Sequence, residues 1–373
     1  MFNVITLVNF LHDAGHVVDV VCIEEVSKPV AGIRDGITVT GLNVCKKGGF
    51  WKLICRLAGG LRLRRYLRGR SFDVLYVIDS WTLPCMWLAT LGTLRWRNAN
   101  LVYHTFDWLE PGLVSIAHRR LEQRMCRLAD LVVNTDRARA RLQKTLYDLK
   151  TVPLWVQNSL SRDLHIPEAN ESLRRELAGC EDASMLRIVL YPTIVSNRES
   201  SQRMTWELIQ AFRHLPDHYR LILFFREGEE YRRCLAACAA AGVEERVKFI
   251  EPVPFLQLLN YVASSDIGAV FYDDSLSSGY FMCNADKLFL MAACGIPFVA
   301  SDQPNLESIT YRYGLGKCCD PHDPIELANS FMAVAEGATP LAEWKTRARA
   351  AFLECLSFEI FGAKLLTAID QLN

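Results

Sequence analysis

Residues 284–309 read NADKLFLMAACGIPFVASDQPNLESI, and their types and spacing suit the binding of an anion. An apolar run at 267–272, IGAVFY, predicts a buried strand, and a polar loop with Ser-Ser-Gly follows it. Positions 286–294 combine helix formers with apolar residues at helical spacing, and Gly295 stops them; 296–300, IPFVA, predicts the next strand. A strand–loop–helix–strand unit points the helix N-terminus at the loop. That end carries unpaired N–H groups and about half a positive charge, which suits a phosphate. Asn284 and Asp286 stand at this end, and Lys287 in the first turn adds a full charge. The plain alternative is an ordinary buried βαβ unit. A second group lies in NLVYHTFDW, where a predicted strand over 100–104 ends on His104 with Asp107 just beyond. Ligands of open α/β sheets collect at the carboxyl ends of parallel strands, so both are candidate site residues. The alternatives are a histidine satisfied at a strand end and an aspartate capping a turn.

These residues need a scaffold that brings strand ends together. Beyond residue 165 the pattern alternates regularly: strands at 186–191, 219–225, 246–250, 267–272 and 296–300, helices at 202–214, 229–241, 255–263, 286–294 and 324–335. Such alternation means right-handed crossovers and a parallel sheet. The first half predicts a helix at 2–14, strands at 17–22, 37–42, 72–78 and 100–104, a helix at 81–94, and a closing strand at 152–161. A polar segment at 167–182 with one short helix reads as the linker. The expected domains are 1–165, 166–356 and a last helix over 357–373 that returns to the first.

At 373 residues the chain fits two cores, and its hydrophobic half is ample to fill them. Lys plus Arg and Asp plus Glu both number 42, so net charge does not indicate nucleic-acid binding. Thirteen cysteines without paired CxxC spacing suggest reduced thiols in a cytoplasmic protein and no zinc site. No run approaches the roughly 20 apolar residues of a bilayer span. Residues 46–70 hold nine basic side chains and no acidic one, with apolar residues at helical spacing. Lys46, Lys47, Lys52, Arg56, Arg62, Arg64 and Arg65 could lie on an anionic membrane, at about 1 kcal/mol per exposed cation. The alternative is a sheet-covering helix with a solvated basic face, broken at Gly59-Gly60.

KLFLMAACGIPFVAS resembles the donor-nucleotide helix of GT-B glycosyltransferases of the family 4 type, roughly KLFEYMAAGLPVVA. The likeness extends in order along nearly the whole chain. LHDAGHVVDVV resembles "aLaeaGHeVtVv", FDVLYVI resembles "pDvvhah", and Glu122 with DLVVNTDRARARL resembles "E…aDavitvS…a..l". VPLWVQNSLS is similar to "v.vipN", and GLGKCCDPHDPIELANSF to "G.G..v.p.dp..lA.ai". The resemblance implies an α/β fold of two Rossmann-like, doubly wound domains facing across a cleft. It implies retaining transfer of a sugar from a nucleotide sugar, with no cofactor and no metal, to a lipid-linked or glycan acceptor, at the inner face of the membrane or free in the cytoplasm. In the family a His in phrases like "vyhtHD" lies near the reacting sugar carbon, which points to His104 and Asp107. An Arg and a Lys after the strand that ends near residue 191 grip the diphosphate; here Arg198 and Arg203 are the candidates, without the usual Lys-Gly.

This chain also departs from the family. Leu290 and Met282 stand where the family has glutamates, and neither can hydrogen-bond a ribose or a sugar hydroxyl. Glu307, read as lying on the next loop, is a partial substitute. The family places a strand and a Gly-rich loop before the first helix, whereas Met1 falls in or just before that helix. The expectation is a first domain lacking its first strand, with a sheet edge unpaired. A non-catalytic relative acting as a binding or partner subunit is the competing reading; a GT-B epimerase or hydrolase is a third.

Overall fold

The structure, a computed structural model, describes residues 2–23, 30–42, 50–108, 114–195, 204–273 and 285–372, with 2 and 50–56 described by their backbone alone. The chain divides into two compact units, 1–158 with 358–373, and 159–357.

Unit 1 begins with α1 (Phe2–Asp13), β1 (Asp19–Cys22), β2 (Thr38–Gly41) and α2 (Phe50–Leu67), then β3 (Val74–Ile78), α3 (Leu83–Ala89) and β4 (Asn100–Thr105). It continues with α4 (Ile116–Leu128), β5 (Leu131–Asn134), α5 (Arg137–Tyr147) and the two-residue β6 (Leu154–Trp155). All strand pairs are parallel, in a four-stranded sheet β3-β4-β5-β6 and a separate pair β1-β2. Among the described residues no ladder joins β1 to β3, so each has an edge without a strand partner. Side chains alternate along β4. Leu101 and Tyr103 meet α3, α4 and α5 on one face, through Met86, Met125 and Tyr147. Val102 and Phe106 meet α1 on the other, through Leu7 and Leu11.

Two expectations change here. The helix expected over 81–94 is only seven residues, because the chain turns through left-handed Leu91, Leu94 and Arg97. The basic helix is not broken at Gly59-Gly60. It runs through them because the second glycine lies against α3: a Cβ on Gly60 would sit 2.5 Å from Leu88 Cβ. Glycine is unfavourable inside a helix, and close packing of two helices is the compensation.

Unit 2 contains α6 (Glu171–Ala178), β7 (Arg187–Val195), α7 (Thr205–Ala211), β8 (Tyr219–Phe225), α8 (Glu229–Ala241) and β9 (Val247–Ile250). Then follow α9 (Phe255–Ala263), β10 (Ile267–Val270), α10 (Asp286–Ala293), β11 (Phe298–Ser301), α11 (Pro304–Tyr313), β12 (Gly316–Cys319), α12 (Pro324–Ala335) and α13 (Leu341–Ala351). A π-helical turn, Phe352–Leu356, leads out of it. The six strands are parallel in the order β12-β11-β10-β7-β8-β9. The first strand of the unit therefore lies at the centre, and the order reverses between β7 and β10, the doubly wound arrangement. Asp266 anchors this junction from below. Its buried carboxylate accepts from Ile188 N at 2.9 Å and from both terminal nitrogens of Arg174 at 3.0 and 3.2 Å.

The last helix, α14 (Phe358–Asp370), belongs to unit 1. It buries Phe358, Phe361, Leu365 and Ile369 beside α1, with the Phe358 ring edge-on to Phe10 at 5.3 Å. A Cβ on Gly362 would come within 2.9 Å of the Phe10 ring, so the two helices touch closely there.

Candidate active site

In unit 2 the chain leaves β7 and β10, the two strands where the sheet order reverses, toward residues 196–203 and 274–284, which lie outside the described residues. That is where doubly wound sheets bind ligands. Arg198 and Arg203 follow β7, and Asn284 precedes α10; all three, with Met282, lie outside the described residues. Asp286 and Lys287 form the first turn of α10, and Lys287 Nζ sits 2.8 Å from Asp286 Oδ1. Packing sets the position of this helix. Residues 288–293 are all buried, and a Cβ on Gly268 in β10 would lie 2.6 Å from Met291 Sδ, so α10 rests directly on the strand. The N-cap is Ala285, which has no side-chain acceptor of its own. Asp286 is half exposed and Lys287 18% exposed, so this helix end reaches solvent.

Leu290 is buried one turn further along and presents only hydrocarbon. Glu307 is not on a loop as the sequence suggested. It lies in the first turn of α11, whose start is set by Pro304 at the first helical position. Sequence reasoning missed Gln303, which is buried before α11; its Nε2 donates to Tyr272 O at 3.2 Å, while Oε1 has no partner among the described residues. Ser301 Oγ also meets Tyr272, accepting from its N–H at 2.9 Å. These two side chains fix the end of β10, from which the chain runs on toward α10. The signal was a polar pair directly after an apolar strand.

In unit 1, His104 lies in β4 on the α1 face and has no exposed surface. Its Nδ1 is 2.7 Å from the Tyr76 hydroxyl, and its ring stacks on Phe106 at 4.2 Å. Burial pulls its pKa down to about 3, so the ring is neutral at physiological pH. A hydroxyl donating to Nδ1 puts the ring proton on Nε2, which has no acceptor among the described residues. In this arrangement His104 is a core residue rather than a group presented to a ligand. Set letter for letter against "vyhtHD", the family's His falls on Phe106, not on His104. Asp107, in contrast, is exposed at the strand's carboxyl end.

The residue that organises this end is Asp79, which the sequence reading passed over. It follows β3 with φ 59° and ψ 152°, a backbone region that L-residues rarely adopt. Its Oδ1 accepts from Phe106 N at 2.7 Å and Asp107 N at 3.0 Å, and its own N–H donates to His104 O. Desolvation raises its pKa to about 6 against the pull of those donors. Asp79→Ala should lower unfolding free energy by about 2 kcal/mol, since two backbone N–H groups lose their acceptor. It should also speed amide exchange at residues 106 and 107; unchanged exchange there would remove Asp79 from this role. Behind β4, the buried Glu122 accepts from Tyr103 and Tyr147 hydroxyls at 2.9 and 2.6 Å, and desolvation lifts it to about 7.

The basic segment divides by role. Lys46 and Lys47 lie outside the described residues, and Lys52 and Arg56 are described by backbone alone. Arg62 reaches Leu42 O at 2.6 Å and Arg64 reaches Ala89 O at 2.7 Å, so both tie α2 down. Arg65 is exposed. Among the described residues no helix is long and apolar enough to cross a membrane, and no cluster of three or more His, Cys, Asp or Glu could hold a metal.

Comparison with known proteins fits these features. Residues 6–147 match the profile of the glycosyl transferase 4-like domain. No curated protein sequence matches the chain. Among solved structures, sucrose-phosphate synthase from Thermosynechococcus elongatus superposes with a TM-score of 0.75 at 17% identity, over 98% of this chain and 91% of that one. HepE from Anabaena, in complex with UDP and glucose, gives 0.70 at 17% identity over 95% and 100%. WaaG, a glycosyltransferase involved in lipopolysaccharide biosynthesis, gives 0.69 at 13% identity over 100% and 95%. Residues 6–147 thus resemble the glycosyl transferase 4-like domain, and the chain has the GT-B fold of these solved structures.

Proposed function

We propose that the protein transfers a sugar from a nucleotide-sugar donor to a lipid-linked or polysaccharide-precursor acceptor, with retention and without a metal, at an anionic membrane surface. The reading rests on one observation. The order reversal of the unit 2 sheet and the solvent-reaching N-terminus of α10, with Lys287 in its first turn, fall at the same place. As the nucleoside diphosphate departs, negative charge grows on its oxygens. Lys287, the N–H groups of α10 and Arg198 would stabilise that charge. The complex of HepE with UDP and glucose and the lipopolysaccharide role of WaaG support the donor and acceptor classes.

The test is calorimetric titration with UDP-, GDP- and ADP-sugars, followed by a product assay with the donor that binds. EDTA should leave turnover unchanged; loss of turnover that returns with a divalent ion would overturn the metal-free part. A second reading, a binding subunit without turnover, is favoured by Leu290 and by Phe106 at the position of the family's His. Donor binding with no transfer to any lipid-linked acceptor would select it, and no donor binding at all would defeat both donor-dependent readings.

A further inference from the structure

We propose that a cavity in unit 1, at the amino ends of β3 and β4, is a binding site for a short neutral oligosaccharide. The cavity measures about 630 Å³, within the range of small-molecule clefts. Its walls come from the residues that lead into the two strands and from the chain after α14, where Leu372 O accepts from Asn100 Nδ2 at 2.7 Å. β3 and β4 run parallel, so Asp79 and Asp107 stand past their other ends, about 20 Å away at the rise of a strand. The cavity is therefore separate from the carboxyl end of the sheet, where ligands of such folds collect.

The polar groups that line it are short of partners within the protein. Trp96 is only 8% exposed, yet its Nε1–H has no acceptor among the described residues, where a buried indole N–H ordinarily finds one. Arg97 and Asp73 are both exposed, and neither has an ion-pair partner among the described residues. The Arg97 guanidinium donates to Arg70 O at 3.3 Å and lies 5.6 Å from the centre of the Trp96 ring. Its φ of 49° is left-handed, so an arginine is held where a glycine would sit more easily. Asn98 is exposed too, and its amide makes no hydrogen bond among the described residues. This mixture selects the ligand class. Asp73 repels an anion and Arg97 repels a cation, whereas a sugar's hydroxyls donate to the carboxylate and accept from the guanidinium, amide and indole N–H groups. Half-buried Phe72 supplies apolar surface for the C–H face of a sugar ring. The choice of a sugar over other polyols rests on the sugar-transfer reading; the place and polarity of the cavity do not.

The test titrates maltotriose, cellotriose and mannotriose into the full chain, read by calorimetry and by the indole N–H resonances, with Trp96 assigned by the signal missing from Trp96→Phe. At least one trisaccharide should bind saturably and shift the Trp96 resonance. Arg97→Gly, which suits the left-handed backbone, and Asp73→Ala/Asn98→Ala, which changes exposed side chains, should each weaken that binding about tenfold. Thermal unfolding checks that both are folded, and if Trp96→Phe does not fold, calorimetry on these two variants decides alone. No saturable binding by any of the three sugars, or equal affinity in both variants and wild type, would overturn the proposal. A Trp96 shift caused by inorganic phosphate and by none of the sugars would make the cavity an anion site and overturn it as well. Nucleotide-sugar titration of the same samples reports on unit 2 separately. Donor binding without trisaccharide binding would sink this site alone, and trisaccharide binding without donor binding would uphold it while the transfer reading fails.

Discussion

Lys287→Ala should weaken binding of the donor's nucleoside diphosphate by about tenfold to a hundredfold, the loss expected for one hydrogen bond to a charged group. The side chain lies in the first turn of a helix whose N-cap residue is an alanine, and whose remaining turns are locked in the core. Its present neighbour is the carboxylate of Asp286, 2.8 Å away and half exposed. A diphosphate brings more negative charge than one carboxylate and can also accept from the backbone N–H groups of that turn, so on the proposed function it would outcompete the aspartate. Lys287→Arg should recover part of the affinity. Thermal unfolding of each variant separates any change in stability from the change in affinity. Titration of UDP into the wild type and both variants checks this. Affinity within about twofold of wild type in Lys287→Ala would move the diphosphate away from α10.

His104→Phe should change the acid stability of the protein more than its chemistry. The folded state holds His104 neutral, with a pKa near 3 against an ordinary value of 6.5. Above pH 6.5 neither state binds the proton, and this group has no effect. As pH falls below that value the unfolded chain takes up a proton that the buried ring refuses, and stability declines by about 1.4 kcal/mol per pH unit until the folded pKa is reached. Between neutral pH and about pH 4, wild type should therefore lose about 3 kcal/mol more than His104→Phe. Asp79 and Glu122, both raised by burial, act in the opposite sense and are common to both proteins, so the difference isolates the histidine. Urea unfolding at several pH values measures it. At neutral pH the variant should be weaker by about 1 kcal/mol, because the Tyr76 hydroxyl loses its partner. Transfer activity should fall no further than that loss of folded protein. A fall of a hundredfold or more in turnover with folding intact would instead make His104 a group that meets the substrate.

Much of the scaffold was legible because it depends on period and punctuation. The apolar runs that became β7, β8, β10 and β11 and the helical spacing of α8, α9, α10 and α12 are local patterns, and their alternation demands a parallel sheet. Elements with weak local signals were missed. β12 is built from Gly-Lys-Cys-Cys and is a strand because it lies along β11, pairing Phe298 to Ser301 with Gly316 to Cys319. A Cβ on Gly316 would meet Phe298 O at 1.8 Å, so the close approach of two backbones chose that residue. The helix at 81–94 was overestimated because propensity does not reveal where a chain must turn to begin the next strand.

The candidate site divides in the same way. Residue order alone determined that a lysine would open a helix behind a strand and that a glutamate is absent from its second turn, since both are facts of spacing. Only the tertiary structure decided whether each polar side chain faced solvent or core. His104 and Asp107 are three residues apart at one strand end, yet one is sealed against Tyr76 and Phe106 and the other is in water. Pleat alternation and the helices packed on each face settle that, and neither is local. Asp79 drew no notice in the sequence because its role is to accept from the backbone of a neighbouring strand, 27 and 28 residues away.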